Sequence, residues 1–361
     1  MRSPFVIAYW RSRHLVFENY LTRRQVMAHP LTASLLHFFD RWKSFAALCA
    51  AMTEYAPSSL KRAVAELVRH SLLQREDQAL PAGHAELAAW SEWNPAAGFF
   101  HLSTKDLAFE ADPAKLFRAL VRLAKSKPIP LPIKRYAKAK QIPLPTPTTD
   151  NEFTRVLIQR RTWRKFSVEA VPFASLGHLL GLTWGIRHWV AMPKIGSVAV
   201  KTSPSGGAMH PVEAYLLARN VAGLGAGFYH YNATHHHLEL LRRGATSRDI
   251  AKLLANQEWY GSAAFVVFLT AVFARTRWKY DYARAYRAVL VEAGHLCQTF
   301  CLTATSLGLA PFCTMAFADS RIERALGIDG VSESALYVAG AGMRPENGGR
   351  LANILGGAVI E

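Results

Sequence analysis

The stretch "KTSPSGGAMHPVEAYLLARN", residues 201–220, joins a glycine-containing loop to a segment that alternates like a β-strand. Gly206 and Gly207 lack a Cβ, so their backbone amides can approach a flat ligand closely, and Ser203 and Ser205 add hydroxyl donors. The loop has neither the Lys-Ser/Thr ending of a Walker loop nor the G-x-G-x-x-G fingerprint. Taken alone, it fits a simple turn and a ligand-binding surface equally well.

A basic cluster precedes this loop, at "QRRTWRKF", residues 159–166. It gathers Arg160, Arg161 and Arg164 around the hydroxyl of Thr162. Guanidinium groups present planar forks that match phosphate oxygens, and a threonine hydroxyl adds a neutral donor. A solvated basic face has the same composition, so spacing alone leaves anion binding and a plain surface equally open.

A third candidate lies in "RTRWKYDYARAYR", residues 275–287, where Lys279 and Tyr280 are adjacent. A lysine beside a tyrosine can orient the phenol or assist proton transfer. Adjacent side chains on a strand point in opposite directions, so both reach one site only from a loop or an irregular backbone. A basic and aromatic surface patch is the simpler interpretation of this stretch.

The four cysteines contain no C-x-x-C pair, which favours a reducing compartment. Cys297 and Cys301 are four residues apart, so on a helix they share one face, where we expect small buried apolar groups. The run "HHH" at residues 235–237 lies between two strand-like segments and predicts a polar hairpin turn. We therefore predict no metal site.

Composition narrows the class of protein. The chain has 361 residues, half of them hydrophobic, and a formal net charge of +17. This is enough apolar material for two or three folded domains. The charge alone does not distinguish an anionic cofactor from a nucleic acid, but no nucleic-acid signature accompanies it. Without a signal peptide or an apolar run of membrane-spanning length, we expect a cytoplasmic protein that binds neither membrane nor nucleic acid.

Patterning predicts three regions. Residues 1–85 carry two short helices from Leu31, a third with Ser58 or Ser59 as N-cap, and a following ribbon, which together suggest a winged-helix-like domain. A plain helical cap is an equal alternative. Residues 86–150 form a helical segment and a proline-rich linker or arm. Residues 151–361 mix helices and strands without βαβ repeats, which favours an α+β domain.

These elements, in this order, resemble the nitroreductase-like flavoprotein superfamily and, within it, the SagB-type dehydrogenases of ribosomal-peptide biosynthesis. The resemblance runs over residues 155–345 and rests on "RRTWRKF", "SPSGGAMHPVEAYLLARNV", "GFYHYN", "RTRWKY", "EAGHLCQ" and "GLAPF". It implies a nitroreductase-like FMN-binding α+β fold with a central, mostly antiparallel sheet flanked by helices. It also implies a homodimer with FMN at the subunit interface.

The resemblance further implies roles for individual residues. Arg160, Arg161, Thr162 and Arg164 hold the FMN phosphate, the ribityl chain and the pyrimidine edge. The loop residues Ser203, Ser205, Gly206 and Gly207 line the ring. A late basic residue completes the phosphate site, for which Arg344 is the candidate and Arg350 the competitor. Lys279 and Tyr280 form the catalytic pair, which acts as base and orienting cation, and the resemblance leaves open which member takes the proton.

The implied reaction oxidises a thiazoline or oxazoline in a precursor peptide to the aromatic azole, with a hydride passing to flavin N5. Implied partners are a modified precursor peptide and a cyclodehydratase or leader-binding protein. Three alternatives remain open at this point: an NAD(P)H-dependent nitro or quinone reductase, a dehydroamino-acid reductase, and a catalytically idle scaffold that recruits a leader peptide.

Overall fold

The computed structural model describes residues 1–27, 29–127, 142–194 and 196–346. It divides into two compact units: Met1–Lys105 with Phe273–Ala288, and Asp106–Val272 with Val289–Glu361. The predicted boundaries at residues 85 and 150 remain predictions, and much of the proline-rich arm lies outside the described residues. Within the described ranges, no helix is both long enough and apolar enough to cross a membrane.

The first unit begins with a three-stranded antiparallel sheet in the order β1-β2-β3. Helices follow it, and their leucines form a core that includes Leu35, Leu48 and Leu60. Labels follow chain order. The strands are β1 Val6–Arg11, β2 His14–Asn19 and β3 Arg24–Met27, and the helices are α1 Pro30–Phe38, α2 Phe45–Ala51, α3 Pro57–Arg69, α4 His84–Ala88, α5 Asn94–Ser103 and α10 Phe273–Lys279.

The helices predicted near the N-terminus are present, but two details were wrong. The N-cap of α3 is Ala56, because Pro57 occupies the first helical position and places Ser58 and Ser59 inside the first turn. Instead of a ribbon after α3, the chain makes an isolated antiparallel bridge between Arg2 and Leu73. The three strands lie before the helices, so the winged-helix assignment remains a prediction.

The second unit is built on a six-stranded sheet in the order β10-β11-β9-β6-β7-β8, with all neighbours antiparallel. The hairpin β4-β5 forms a separate two-stranded sheet. The strands are β4 His188–Met192, β5 Gly196–Val200, β6 Val212–Ala218, β7 Gly227–Asn232, β8 His237–Arg243, β9 Phe265–Val272, β10 Leu309–Thr314 and β11 Glu333–Met343. The helices are α6 Pro113–Ser126, α7 Glu152–Gln159, α8 Phe173–Trp184, α9 Ser247–Leu253, α11 Ala285–Ser306 and α12 Asp319–Leu326. The second unit contains α11 from Val289 onward.

This architecture confirms the predicted α+β class with a mostly antiparallel sheet flanked by helices. Seven residues of β9, "FVVFLTA", are buried without alternation, as expected for a central strand covered on both faces. On one side of the sheet the rings of Tyr260 and Phe312 stack with centroids 3.9 Å apart. The histidine run also behaves as predicted: it lies at the turn between β7 and β8, where Asn232 Oδ1 accepts hydrogen bonds from the amides of Thr234 and His235.

Candidate functional site

The serine and glycine loop is attached to α11 by its hydroxyl groups. Ser205 Oγ donates to the carboxylate of Glu292, and it also accepts a hydrogen bond of 2.9 Å from the amide of His210. The hydroxyls of Ser203 and Thr299 share a hydrogen bond of 2.7 Å. Gly206 and Gly207 remain exposed between these anchors. The serines therefore hold the loop, and the glycines present its backbone.

The backbone of this loop is unusual. Three residues within four positions have left-handed conformations: Gly207 with φ 64°, Ala208 with φ 57° and His210 with φ 44°. Glycine adopts this region freely, but residues with a Cβ do so at a cost of about 1 kcal/mol or more. The imidazole of His210 is held by the carbonyl of Ala199 at 2.9 Å. Strain maintained by specific contacts in an exposed loop is typical of a binding site.

Glu292 is one of two site residues that sequence reasoning missed, although it begins the quoted "EAGHLCQ" motif. It is a carboxylic acid with 4% of its surface exposed. Burial raises its pKa, while the hydrogen bond from Ser205 and the charge of Lys201 act in the opposite direction. Thr299 was also missed. Both lie on the loop-facing side of α11, and only the folded chain brings them to residues about ninety positions earlier.

The arginine cluster follows α7 and runs along the ends of β10 and β11. Its backbone is fixed by the amide of Trp163, which donates to Pro311 O at 2.9 Å, and by that of Ser167, which donates to Met343 O at 3.0 Å. The Arg161 guanidinium lies 3.7 Å above the Trp163 ring. Arg160 lies near the thiols of α11 and β10, and Arg164 lies beside Tyr260. The backbone is ordered by the sheet, but these three side chains contact different neighbours.

Two further residues complete the account of the predicted phosphate site. Thr162 is half-buried. Arg344 donates through Nε to Leu309 O at 2.9 Å and through a terminal nitrogen to Thr305 O at 2.6 Å. These carbonyls belong to the C-terminal end of α11 and the start of β10, so Arg344 stabilises a helix end. Arg350 lies outside the described residues.

Lys279 and Tyr280 lie in the first unit, at the end of α10. The Lys279 Nζ is 5.6 Å from the centre of the Tyr280 ring, so the two side chains are close. Trp93 Nε1 donates to the Tyr280 carbonyl at 2.8 Å, and the Tyr280 amide bonds to Thr276 O at 3.0 Å. A helix end rather than a strand carries the pair, which allows adjacent side chains to approach one another.

An aromatic cluster supports α10 from within the same unit. Trp90, Phe273 and Tyr286 pack together, with the Trp90 and Phe273 rings 4.7 Å apart and the Phe273 and Tyr286 rings stacked at 5.7 Å. Buried His101 shares a hydrogen bond of 2.9 Å with the Tyr286 hydroxyl. The pair is thus anchored at its backbone by a rigid core, while Lys279 itself is exposed.

Curated relatives match part of the chain. A protein of Methanocaldococcus jannaschii named as a nitroreductase, MJ1384, is 31% identical over 173 residues, which is 48% of this chain and 83% of that protein. The trifolitoxin-processing protein TfxB of Rhizobium leguminosarum bv. trifolii is 33% identical, over 41% of this chain and 40% of its own length. The microcin B17-processing protein McbC of Escherichia coli is 30% identical, over 40% of this chain and 55% of its own length. The match therefore spans less than two thirds of each processing protein.

A solved structure shows the same fold. It is the E. coli microcin synthetase McbBCD complex with truncated pro-MccB17 bound, in which the matched chain gives a TM-score of 0.53 at 22% identity. The superposition covers 75% of this chain and all of the other, and at this identity it bears on the fold alone.

The sequence profile of the Nitroreductase family matches residues 157–342, more than half of the chain. The matched range begins in α7 just before the arginine cluster, contains the serine and glycine loop and α11, and ends in β11. The resemblance stated from short motifs therefore extends over the whole central sheet, and the chain belongs to the nitroreductase family.

Proposed function

We propose that this protein is an FMN-dependent dehydrogenase of ribosomal-peptide maturation that oxidises thiazoline or oxazoline rings to azoles. Members of its family generally bind a flavin and are oxidoreductases. Two relatives bear the names of peptide-processing proteins. The structural observation that carries the proposal is the strained loop from Ser203 to His210, which exposes Gly206 and Gly207 while α11 holds its serines.

The residues present fit FMN by their chemistry. Exposed glycine backbone suits a flat ring, and the guanidinium donors of Arg160 and Arg164 suit a phosphate and an electron-rich ring edge. FMN held there would supply a two-electron acceptor for the substrate's hydride, with oxygen as the final oxidant. We assign Ser203, Ser205, Gly206 and Gly207 to the ring, and Arg160, Arg161, Thr162 and Arg164 to the phosphate end and ring edge.

The second subunit of a homodimer would complete such a site. Ser205 contacts α11 at Glu292, whereas Arg344 contacts it at Thr305, and thirteen residues of helix span about 20 Å. Ser205 and Arg344, which the resemblance assigns to the ring and to the phosphate, thus contact α11 at distant points. Exposed apolar side chains on this unit supply material for a subunit interface: Leu116, Phe117, Leu120, Phe153, Ile158, Trp189, Leu290 and Val291.

The proposed chemistry assigns the proton transfer to the Lys279 and Tyr280 pair. The substrate loses its Cα hydrogen as a proton and its Cβ hydrogen as a hydride, and the electron pair of the Cα–H bond forms the new double bond. The deprotonated member of the pair takes the proton from the substrate. The other member orients this base or stabilises its charge. The short distance between Lys279 Nζ and the Tyr280 ring supports this cooperation.

The test uses an azoline-containing peptide and mass spectrometry. We expect the protein to remove two hydrogen atoms from the peptide, and Lys279→Ala and Tyr280→Phe to abolish this loss while flavin remains bound. Tyr282→Phe is the matched control, since Tyr282 is a half-exposed tyrosine two positions further on. Full turnover in both variants of the pair would refute their catalytic assignment.

A small-molecule reductase is the second candidate, because the matched region covers 83% of the M. jannaschii protein named as a nitroreductase. This function predicts rapid NAD(P)H oxidation with a quinone or nitroarene. It requires neither Lys279 nor Tyr280, so Lys279→Ala should leave that rate unchanged. A reductase rate far above the peptide rate would favour this candidate.

We also propose that the N-terminal region binds the precursor peptide or a leader-binding protein, as a winged-helix-like module does. Its three helices and small sheet form a core of their own, which supports an independent role. Truncation of residues 1–85 should weaken peptide processing more than it lowers flavin content. An equal loss of both would make the region structural.

A further inference from the structure

Three cysteine thiols meet in the core of the second unit. The sulfur atoms of Cys297, Cys301 and Cys313 all lie within 4.8 Å of one another. Cys297 and Cys301 are 2% and 3% exposed, and Cys313 is half-buried. All three are free thiols. The proposed flavin chemistry uses none of them.

The fold explains how the cluster forms. Cys297 and Cys301 are one helical turn apart on α11 and therefore share a face. The chain then turns at Gly308, whose φ of 73° suits glycine, and returns as β10, which carries Cys313. Two rigid elements thus hold the thiols together, so no loop movement is needed to bring them into reach.

Two polar side chains lie beside the cluster. The Tyr337 hydroxyl, at an irregularity in the pairing of β11 with β9, donates to Cys313 Sγ at 3.5 Å. The Arg160 guanidinium lies close enough to act electrostatically on Cys301 and Cys313. A hydrogen-bond donor and a cation around a group of sulfurs are the partners that stabilise metal-bound thiolates.

The spacing suits a single soft metal ion. Metal–sulfur bonds of about 2.3 Å in a trigonal arrangement place the sulfurs about 4 Å apart, so side-chain shifts below about 1 Å convert the cluster into a ligand set. Sulfurs this close leave no room between them for a cluster of several irons. Thiolates select soft ions such as Cu⁺ and Zn²⁺ over Mg²⁺ or Ca²⁺.

We propose that Cys297, Cys301 and Cys313 form a three-thiolate binding site for one Cu⁺ ion. In the described part of the chain, no fourth cysteine, histidine or carboxylate joins the group. Burial of the two helical cysteines keeps water away from them. Zn²⁺ prefers four ligands, whereas Cu⁺ is satisfied by three. The sequence predicted no metal site, because only folding brings Cys313 to the helical pair.

Binding involves no redox step. Each thiol that bonds to the metal releases its proton to solvent, and the ion enters and remains as Cu⁺. The site stands independently of the proposed dehydrogenase function, since it uses none of the residues assigned to catalysis. It shares only the neighbourhood of Arg160 with the predicted phosphate site.

The test is a competition titration of the purified, reduced protein without oxygen. Cu⁺ is added as its acetonitrile complex against the chelator bicinchoninate, and metal retained after desalting is counted by elemental analysis. We expect one Cu⁺ per chain, and an X-ray absorption spectrum at the copper edge with three sulfur neighbours and no nitrogen or oxygen. Zn²⁺, titrated in parallel, should bind more weakly.

Variants assign the ligands. Cys297→Ser, Cys301→Ser and Cys313→Ser should each lower Cu⁺ affinity about tenfold or more. Cys49→Ser is the matched control, because Cys49 lies in the other unit, and it should bind Cu⁺ as the unaltered protein does. Should a core variant fail to fold, the absorption spectrum of the unaltered protein decides. The proposal would be overturned if the protein retained no copper, or if the spectrum showed nitrogen or oxygen ligands. It would also be overturned if Cys49→Ser lowered Cu⁺ affinity as much as the other variants do.

Discussion

At the scale of single residues, the hydrogen bond from Ser205 to Glu292 attaches the "SPSGG" motif of the loop to α11. The motif predicted an exposed glycine backbone flanked by hydroxyls, and that prediction agrees with the loop. The motif did not predict that Ser205 donates a hydrogen bond to Glu292, which lies 87 positions later in the chain. The spacing of Cys297 and Cys301 likewise predicted that they share one face of a helix, but no pattern predicted that Cys313 lies beside them. Contacts of this kind depend on tertiary packing and leave no local pattern.

Glu292 yields a prediction at this scale. Because burial raises its pKa, the folded chain holds this proton more tightly than the unfolded chain does. The stability that this protonated group gives the folded chain is therefore lost as the pH rises above the ordinary pKa of a carboxyl group. Glu292→Gln mimics the protonated acid, so the gain in melting temperature should be larger at pH 8 than at pH 4.5. Thermal unfolding at both values checks this, and a gain confined to low pH would contradict it.

At the scale of elements, prediction succeeded where the pattern was long. The apolar periodicity of residues 284–307 extends over several turns and predicts one long helix, and the structure has α11 there, Ala285–Ser306. The segments "EAYLLAR", "AAFVVFLTAVF" and "ALYVAGAG" also predict strands, and they coincide with β6, β9 and β11. The strands β1 to β3 were missed because they are short and half exposed. The ribbon predicted after α3, over "LLQRED" to "ALPA", does not form two strands, because that stretch has no alternating apolar pattern.

Gly340 in β11 is a packing constraint that the sequence does not reveal. A Cβ at this position would lie 2.5 Å from the Phe312 ring and 2.9 Å from the carbonyl of Phe265. Phe312 is fully buried and stacked on Tyr260, so it has little room to move. Gly340→Ala should therefore lower the free energy of unfolding by about 1–3 kcal/mol, measured by urea denaturation.

The matched control for Gly340 is Gly225→Ala. Its added Cβ would meet only the Tyr229 hydroxyl at 3.7 Å, an ordinary contact. We expect its unfolding midpoint to stay within experimental error of the unaltered protein. Equal stability of the two variants would show that the close approach at Gly340 is relieved at no cost.

At the scale of the whole molecule, the proposed dimer accounts for the apolar side chains that one chain leaves exposed. Val291 on α11 is 55% exposed and lies beside Glu292, which holds the serine and glycine loop. A carboxylate inserted there would be buried at the proposed interface without a partner. Val291→Asp should therefore convert the dimer to monomer and lower flavin content with it.

Size-exclusion chromatography with light scattering measures the molar mass and so distinguishes dimer from monomer. Lys252→Asp, an exposed substitution on α9, introduces the same side chain away from α11 and should remain dimeric. A protein that is monomeric before substitution, or a Val291→Asp dimer with full flavin, would contradict the two-subunit site.

The most direct test of the central claim is the visible absorption spectrum of the purified protein. The account predicts the absorption bands of bound flavin, which bleach when an azoline peptide is added without oxygen and return when air is admitted. A colourless protein that remains colourless after incubation with FMN would contradict the flavin site and both enzyme functions at once.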